Sequence, residues 1–223
     1  MEERMKVKKA KLYIFDMDGT ILDSMSVWSN LGRNYLEKEG ALAPDDLEQR
    51  IEKMTMEESA AYFQSLGVDK EIPDIINGLF ENIRESYRLT IPGKKEIIDI
   101  IEDLSQNTDS ILCILTTSEE LCARTSMERL GILSCFRDIY TGDGLGLGKR
   151  TGEIYQKVCE IYGVAPEDTV VFEDVLYAVQ SAKEAGCYVY AVSDSCNQED
   201  WVEICENADE SIEPQNLVTR AVS

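Results

Sequence analysis

The chain has 223 residues, 43% apolar and 8% aromatic, which suits one or two compact domains with a sizeable core and is too apolar for a disordered chain. Its 22 Lys and Arg against 43 Asp and Glu give a net charge of −21, a surface that repels phosphate backbones and anionic lipid and so argues against nucleic-acid and membrane partners. There is no histidine, which excludes Ser-His-Asp and Cys-His mechanisms and the commonest zinc sites.

No run approaches the apolar length of a transmembrane helix, and Met1 to Lys11 lacks the apolar middle of a secretory signal. The seven cysteines are scattered, contain no CxxC and lie mostly in apolar stretches, which reads as free core thiols in a reducing cytoplasm.

In chain order, Lys11 to Phe15 reads as a short buried strand that ends in Asp16-Met17-Asp18-Gly19-Thr20. A long stretch of helical spacing comes next. Trp28, Leu31, Tyr35 and Leu36 form one stripe, with Trp28 read as core; Met56, Ala60, Phe63 and Leu66 form another, and Ile72 to Leu89 a third. Gly40, Pro44, Gly67 and Pro73 separate them, so this part is predicted to be a small helical bundle.

From Pro92 strands and helices alternate. Helices are expected at Ile97 to Leu104, Leu121 to Leu130, Ile154 to Tyr162, Val175 to Ala185 and Trp201 to Cys205. Strands are expected at Ile111 to Leu115, around Ile139 and Tyr140 before a glycine-rich loop, at Thr169 to Phe172, at Tyr188 to Val192 and in the tail. Near-continuous apolar strands between helices predict a parallel sheet with helices on both faces. The expected architecture is a Rossmann-like α/β core, residues 1–19 and 91–223, interrupted by a helical insert, residues 20–90.

In such sheets ligands bind beyond the carboxyl ends of the strands. The first strand delivers Asp16 and Asp18 there, the second Thr116, Thr117 and Ser118, the loop after the third Lys149, and the fourth Glu173 and Asp174. Asp16 and Asp18 are two positions apart and so point the same way from an extended chain. Carboxylates this close repel unless a cation lies between them. Hard oxygen ligands in this number suit Mg²⁺ with water and a substrate phosphate. The metal and Lys149 would supply positive charge that the chain as a whole lacks, and the Thr116 hydroxyl can donate to a phosphate oxygen.

Two apparent motifs fail. The stretch Gly142 to Arg150 resembles a nucleotide loop but has Asp143 and Arg150 where a P-loop needs Gly and Ser or Thr. Asp16-Met17-Asp18-Gly19 opens like a calcium loop, but its glycine comes too early and the closing Glu is missing.

The four segments together resemble the haloacid dehalogenase superfamily, in the branch with a helical cap inserted after the first motif. The residues that carry the resemblance are Phe15 to Ser24, Leu115 to Ser118, Gly148 to Tyr155, and Val171 to Asp174 running on to Gly186. The resemblance covers nearly the whole chain. It implies that Asp16 is a nucleophile forming an aspartyl-phosphate, and that Asp18 is general acid and then base. It further implies Mg²⁺ held by Asp16, Asp174 and the Asp18 backbone carbonyl, with Glu173 reaching it through water. Thr116, Thr117 and Lys149 would bind the phosphoryl oxygens.

One departure stands out: many relatives follow the third-motif lysine with Pro-Asp-Pro, and here Arg150-Thr151-Gly152 follows it. Arg150 is read as a solvated cation. The insert segment Met54 to Glu58 lacks the glycine-then-arginine pattern with which β-phosphoglucomutase-like mutases grip a second phosphate. The leading expectation is therefore a cytoplasmic Mg²⁺-dependent phosphatase of a small phosphorylated metabolite, a monomer or weak dimer. A sugar-phosphate mutase and a phosphate-binding relative without turnover are the alternatives.

Overall fold

The computed structural model describes residues 6–51 and 53–218. It divides into two compact units, one running from Ser26 to Thr90 and the other built from the chain before and after that segment.

The inserted unit is helical, with α1 at Met25–Ser29, α2 at Leu31–Lys38, α3 at Leu47–Ile51, α4 at Met56–Ser65 and α5 at Ile72–Leu89. Helix α4 starts at a capping box: the Glu58 N–H donates to Thr55 Oγ1 at 3.2 Å and the Thr55 N–H to the Glu58 carboxylate at 2.8 Å. Helix α5 has Pro73 in its first turn and buries Ile75, Leu79, Ile83 and Tyr87, a four-residue spacing that keeps one face inward. The core of this unit joins Tyr35, Leu36, Leu47, Ala60, Phe63, Val68, Ile75 and Leu79. Trp28 is not part of it. Its side chain is exposed, and its indole N–H donates to the Tyr87 hydroxyl at 2.9 Å, because an indole needs a polar partner that an apolar core would deny it.

The other unit is a Rossmann-like α/β layer. Its elements are β1 at Leu12–Phe15, β2 at Gly93–Lys94, α6 at Lys95–Asn107, β3 at Ile111–Thr116, α7 at Glu120–Leu130, β4 at Asp138–Thr141, α8 at Gly142–Leu145, α9 at Glu153–Tyr162, β5 at Thr169–Glu173, α10 at Leu176–Glu184, β6 at Tyr188–Val192, α11 at Trp201–Asn207, β7 at Glu210–Ile212 and β8 at Leu217–Val218. The six-stranded sheet has the order β4-β3-β1-β5-β6-β7, with every pairing parallel, while β2 and β8 form a small antiparallel ribbon. One face buries Leu12, Ile14, Cys113, Leu115, Val171, Val189 and Ala191 against α9, α10 and α11. The alternate residues Tyr13, Phe15, Leu112, Ile114, Val170, Phe172 and Tyr190 are buried too, so the opposite face is also covered. There Phe15, Phe172 and Tyr190 stack in a row across three strands.

Three features differ from the sequence reading. The glycine-rich stretch after β4 contains a helical turn, α8, because Thr141 Oγ1 accepts the Gly144 N–H at its start. The ribbon of β2 and β8 was not expected, since strands of two residues carry no periodicity. The helical unit begins at Ser26 instead of residue 20, because the chain up to Ser24 is tied to the sheet unit. Ile21 and Leu22 are buried, the Lys94 N–H donates to the Ile21 carbonyl at 2.8 Å and the Asp23 N–H to the Pro92 carbonyl at 3.0 Å. None of the seven cysteines forms a disulfide, and among the described residues no helix is long and apolar enough to cross a membrane.

Candidate active site

Strand β1 lies at the centre of the sheet, where the chain order departs in both directions, and its end is flanked by β3 and β5: Phe15 pairs with Ile114 on one side and Phe172 on the other. This is the switch point at which open α/β sheets form a crevice. The chain leaves β1 through Asp16, whose N–H still donates to the Phe172 carbonyl at 3.0 Å. It then folds tightly, with the N–H groups of Ile21 and Leu22 both donating to the Met17 carbonyl and Gly19 at φ 81°. The buried Met17 anchors the turn between Asp16 and Asp18.

Lys149 is the hub of the charged groups. It is buried, and its ammonium donates to Asp16 Oδ1 at 2.5 Å and to Glu173 Oε1 at 2.8 Å. Tyr155, fully buried on α9, donates its hydroxyl to the same Glu173 oxygen at 2.8 Å. Asp174 completes the group: one carboxylate oxygen from each of Asp16, Glu173 and Asp174 lies within 4.8 Å of the others. Thr20 Oγ1 lies 3.5 Å from Asp174 Oδ1.

Two of these three buried carboxylates, Asp16 and Glu173, share the Lys149 ammonium, and Asp174 feels the charge of Lys94 instead. Burial alone would pull the Lys149 ammonium down, but Asp16 and Glu173 hold it above its ordinary value. Burial raises the Glu173 carboxyl to about 7, with Lys149 opposing and Asp16 reinforcing the rise. Burial, then Asp16 and Glu173, push Asp174 well above the ordinary carboxylate range. Pairing with Lys149 lowers Glu173, but burial, reinforced by Asp16, outweighs it.

A divalent cation fits this arrangement. Asp16 Oδ2 and Glu173 Oε2 are buried without a hydrogen-bond partner, which is costly unless a ligand completes them. The donors are all oxygen, as Mg²⁺ prefers.

Asp18 belongs to a different set of contacts. Ser24 donates to its Oδ1 and Ser118 to its Oδ2, each at 2.6 Å. Ser118 in turn is fixed by its N–H, which donates to Thr116 Oγ1 at 3.0 Å. Thr116 is buried at the end of β3, whereas Thr117 is exposed. The structure thus joins Lys149 to Asp16 and Glu173, gathers Asp174 close to those two carboxylates, and places Asp18 beside Ser118 and, through it, Thr116.

Ser24 and Tyr155 were missed as site residues, and Ser118, expected at the ligand edge, was given no role. Ser24 and Ser118 stand inside the motifs, and a hydroxyl close in sequence to an acid or to another strand end was the available signal. Tyr155 carried none, since an aromatic at a buried helical position reads as core. The Arg150-Thr151-Gly152 substitution leaves Lys149 in place. Gly152 lets the loop lie on the end of α10, where a β-carbon would come within 3.0 Å of the Ala185 nitrogen. Arg150 stacks on the exposed edge of the fold, its guanidinium 4.6 Å from the Tyr177 ring centre.

Residues 13–192 match the family model of the haloacid dehalogenase-like hydrolases. The chain belongs to this family. It is 29% identical over 192 residues to a phosphorylated carbohydrates phosphatase of Thermotoga maritima, covering 82% of this chain and 86% of the relative. It is 25% identical over 185 residues to hexitol phosphatase A of Escherichia coli, covering 83% and 84% of the two. A solved Thermotoga maritima structure, provisionally described as a β-phosphoglucomutase, superposes with a TM-score of 0.78 at 26% identity, over 92% of this chain and 94% of that one. As a haloacid dehalogenase-like hydrolase, the chain is an enzyme, and its strand order and crevice are the family's fold.

Proposed function

We propose that this hydrolase is a Mg²⁺-dependent phosphatase acting on small phosphorylated sugars or polyols through an aspartyl-phosphate. The observation that carries the reading is the state of Asp16: one oxygen is held by Lys149 at 2.5 Å and the other is buried without a partner. A carboxylate held at one oxygen by a buried lysine is fixed in orientation at the strand end, as a nucleophile and metal ligand must be. The names of the relatives support the substrate class.

Asp16 attacks phosphorus, the bond from phosphorus to the ester oxygen breaks, and Asp18 gives its proton to that oxygen. Asp18 then takes a proton from water. The water oxygen attacks phosphorus, the bond to Asp16 breaks, and phosphate and free Asp16 are regained. Ser24 and Ser118 hold the Asp18 carboxyl in place for both transfers. Lys149 and the Thr116 hydroxyl bind the phosphoryl oxygens as charge builds on them, with exposed Thr117 following Thr116 in the chain. Asp16 and Asp174, with the Asp18 carbonyl, would hold Mg²⁺, which neutralises phosphate charge when bound. Glu173 keeps Lys149 aimed at Asp16.

The test is phosphate release from a panel of hexose, pentose, hexitol and nucleoside monophosphates, with Mg²⁺ and with EDTA. Release from sugar or hexitol phosphates that EDTA abolishes is expected. No release from any member, or release indifferent to EDTA, would defeat the reading.

A further inference from the structure

The loop after β6 forms a second buried polar structure beneath the site. Lys94, at the end of β2, is 4% exposed. Its ammonium donates to the Gly19 carbonyl and, at 2.7 Å, to the Ser193 carbonyl, and it lies 2.9 Å from Asp194 Oδ2. Asp194 is buried and turns its other oxygen to the Cys196 N–H at 3.0 Å. Its own N–H donates to Asn197 Oδ1 at 3.0 Å. The Asn197 amide then donates to the Asp174 carbonyl at 2.8 Å and to the Val192 carbonyl at 3.0 Å.

These contacts close a circuit. Lys94 grips the backbone of Gly19, Asn197 grips the backbone of Asp174, and both side chains are fastened to residues 193 to 194. The circuit is completed by direct contact, because the Asp174 carboxylate lies over Gly19 so closely that a β-carbon there would be 2.1 Å from it. An ordinary structural ion pair would join two elements; this one joins the loop that carries Asp16 and Asp18 to the loop that carries Asp174.

We propose that Lys94, Asp194 and Asn197 are positioning residues that set the spacing of the Asp16 to Gly19 loop from Asp174, and so the affinity of the carboxylate cluster for its divalent cation. The proposal rests on the metal-dependent reading of the site. Lys94 acts through Gly19 and Asn197 through Asp174; neither touches the reacting atoms. The lysine charge is needed because three acceptors converge on one group, and the aspartate is needed because a lone buried cation would be costly.

Removal of partners that orient metal ligands typically weakens metal binding about 10-fold to 100-fold. The test uses isothermal titration of Mg²⁺ into the full chain, alongside Mg²⁺ dependence of turnover and thermal unfolding. Two variants are compared with the parent: Lys94→Met combined with Asp194→Asn, which removes both charges together, and Asn197→Ser, which leaves the ion pair intact. Each should fold cooperatively, weaken Mg²⁺ binding by about tenfold or more, and raise the Mg²⁺ concentration for half-maximal turnover equally, with substrate KM at saturating Mg²⁺ little changed. If the double variant fails to fold, Asn197→Ser alone decides. Mg²⁺ affinity within twofold of the parent in a folded variant would overturn the proposal. A parent that binds no Mg²⁺ would instead remove the metal-dependent reading itself, and this inference with it.

Discussion

Gly19 and Asp174 approach each other so closely that a β-carbon on Gly19 would lie 2.1 Å from Asp174 Oδ2 and 2.7 Å from its carboxyl carbon. The glycine also sits at φ 81°, in the left-handed region where a side chain costs about 1–2 kcal/mol. Both facts constrain the same loop. Gly19→Ala should therefore drive the Asp174 carboxylate away from Asp16, losing most of the phosphate release while the sheet survives. Circular dichroism and a phosphatase assay on the same sample check this, and full activity in the alanine variant would contradict the close approach.

Lys149 and Asp16 have opposite consequences when neutralised. Lys149→Met leaves Asp16 and Glu173 in a buried place without their ammonium, and loss of one partner of a buried ion pair typically costs about 3–5 kcal/mol. Urea unfolding of the metal-free chain should show a loss of that order, with turnover abolished. Asp16→Asn removes one of the three like charges and leaves Lys149 bound to Glu173. Its metal-free stability should be no lower than the parent's, while hydrolysis of p-nitrophenyl phosphate falls to background. A metal-free Asp16→Asn protein markedly less stable than the parent would show that the carboxylates do not repel.

Acidity offers an independent check on that crowding. Burial raises Glu173 to about 7, above its ordinary value near 4.5. A group raised on folding stabilises fully below its unfolded pKa, and the contribution is lost as pH rises through the folded one. The metal-free chain should thus lose stability between about pH 5 and pH 8. Saturating Mg²⁺ should flatten the profile, because it favours the ionised carboxylates. Thermal unfolding at each pH, with Glu173→Gln as the comparison, measures it; a metal-free profile that rises over this range would refute the assignment.

The positions of Asp16, Glu173 and Asp174 were legible because the fully buried strands Leu12–Phe15 and Thr169–Glu173 end in charge, whereas Lys149 was legible only as a cation in the loop after the third strand. Two-sided burial makes the strand visible, and the polar residue after it marks the edge. The features that stayed hidden depend on distance in the chain or on mixed character. Lys94 reads as a surface lysine after Pro92-Gly93, and only the fold brings it to a carbonyl 75 residues earlier and another 99 residues later. Trp28 fits a helical stripe yet stands exposed, since periodicity locates a face without saying how fully it is covered. The turn at Gly142–Leu145 was unreadable because glycine has poor helix propensity, and a threonine cap overrode it.

In the proposed mechanism, phosphatase and mutase part company only after the phosphoryl group has reached Asp16. Water completes a phosphatase cycle, whereas a mutase must exclude water and hold a second phosphate with cations. In the helical unit Arg33 is paired with Glu48, Lys38 with Glu85, Arg50 with Asp46, Lys70 with Glu39 and Arg84 with Glu81. The segment from Met54 to Glu58 adds two acids at the start of α4, and Glu58 is already committed to the Thr55 N–H. Five of the seven cations in this unit are thus engaged by carboxylates, which weakens its grip on a sugar's distal phosphate, so water should win. Supplying β-glucose 1-phosphate, Mg²⁺ and a trace of β-glucose 1,6-bisphosphate, and measuring glucose 6-phosphate and free phosphate separately, tests this. Slow phosphate release at most is expected. Rapid glucose 6-phosphate formation with little free phosphate would establish the mutase.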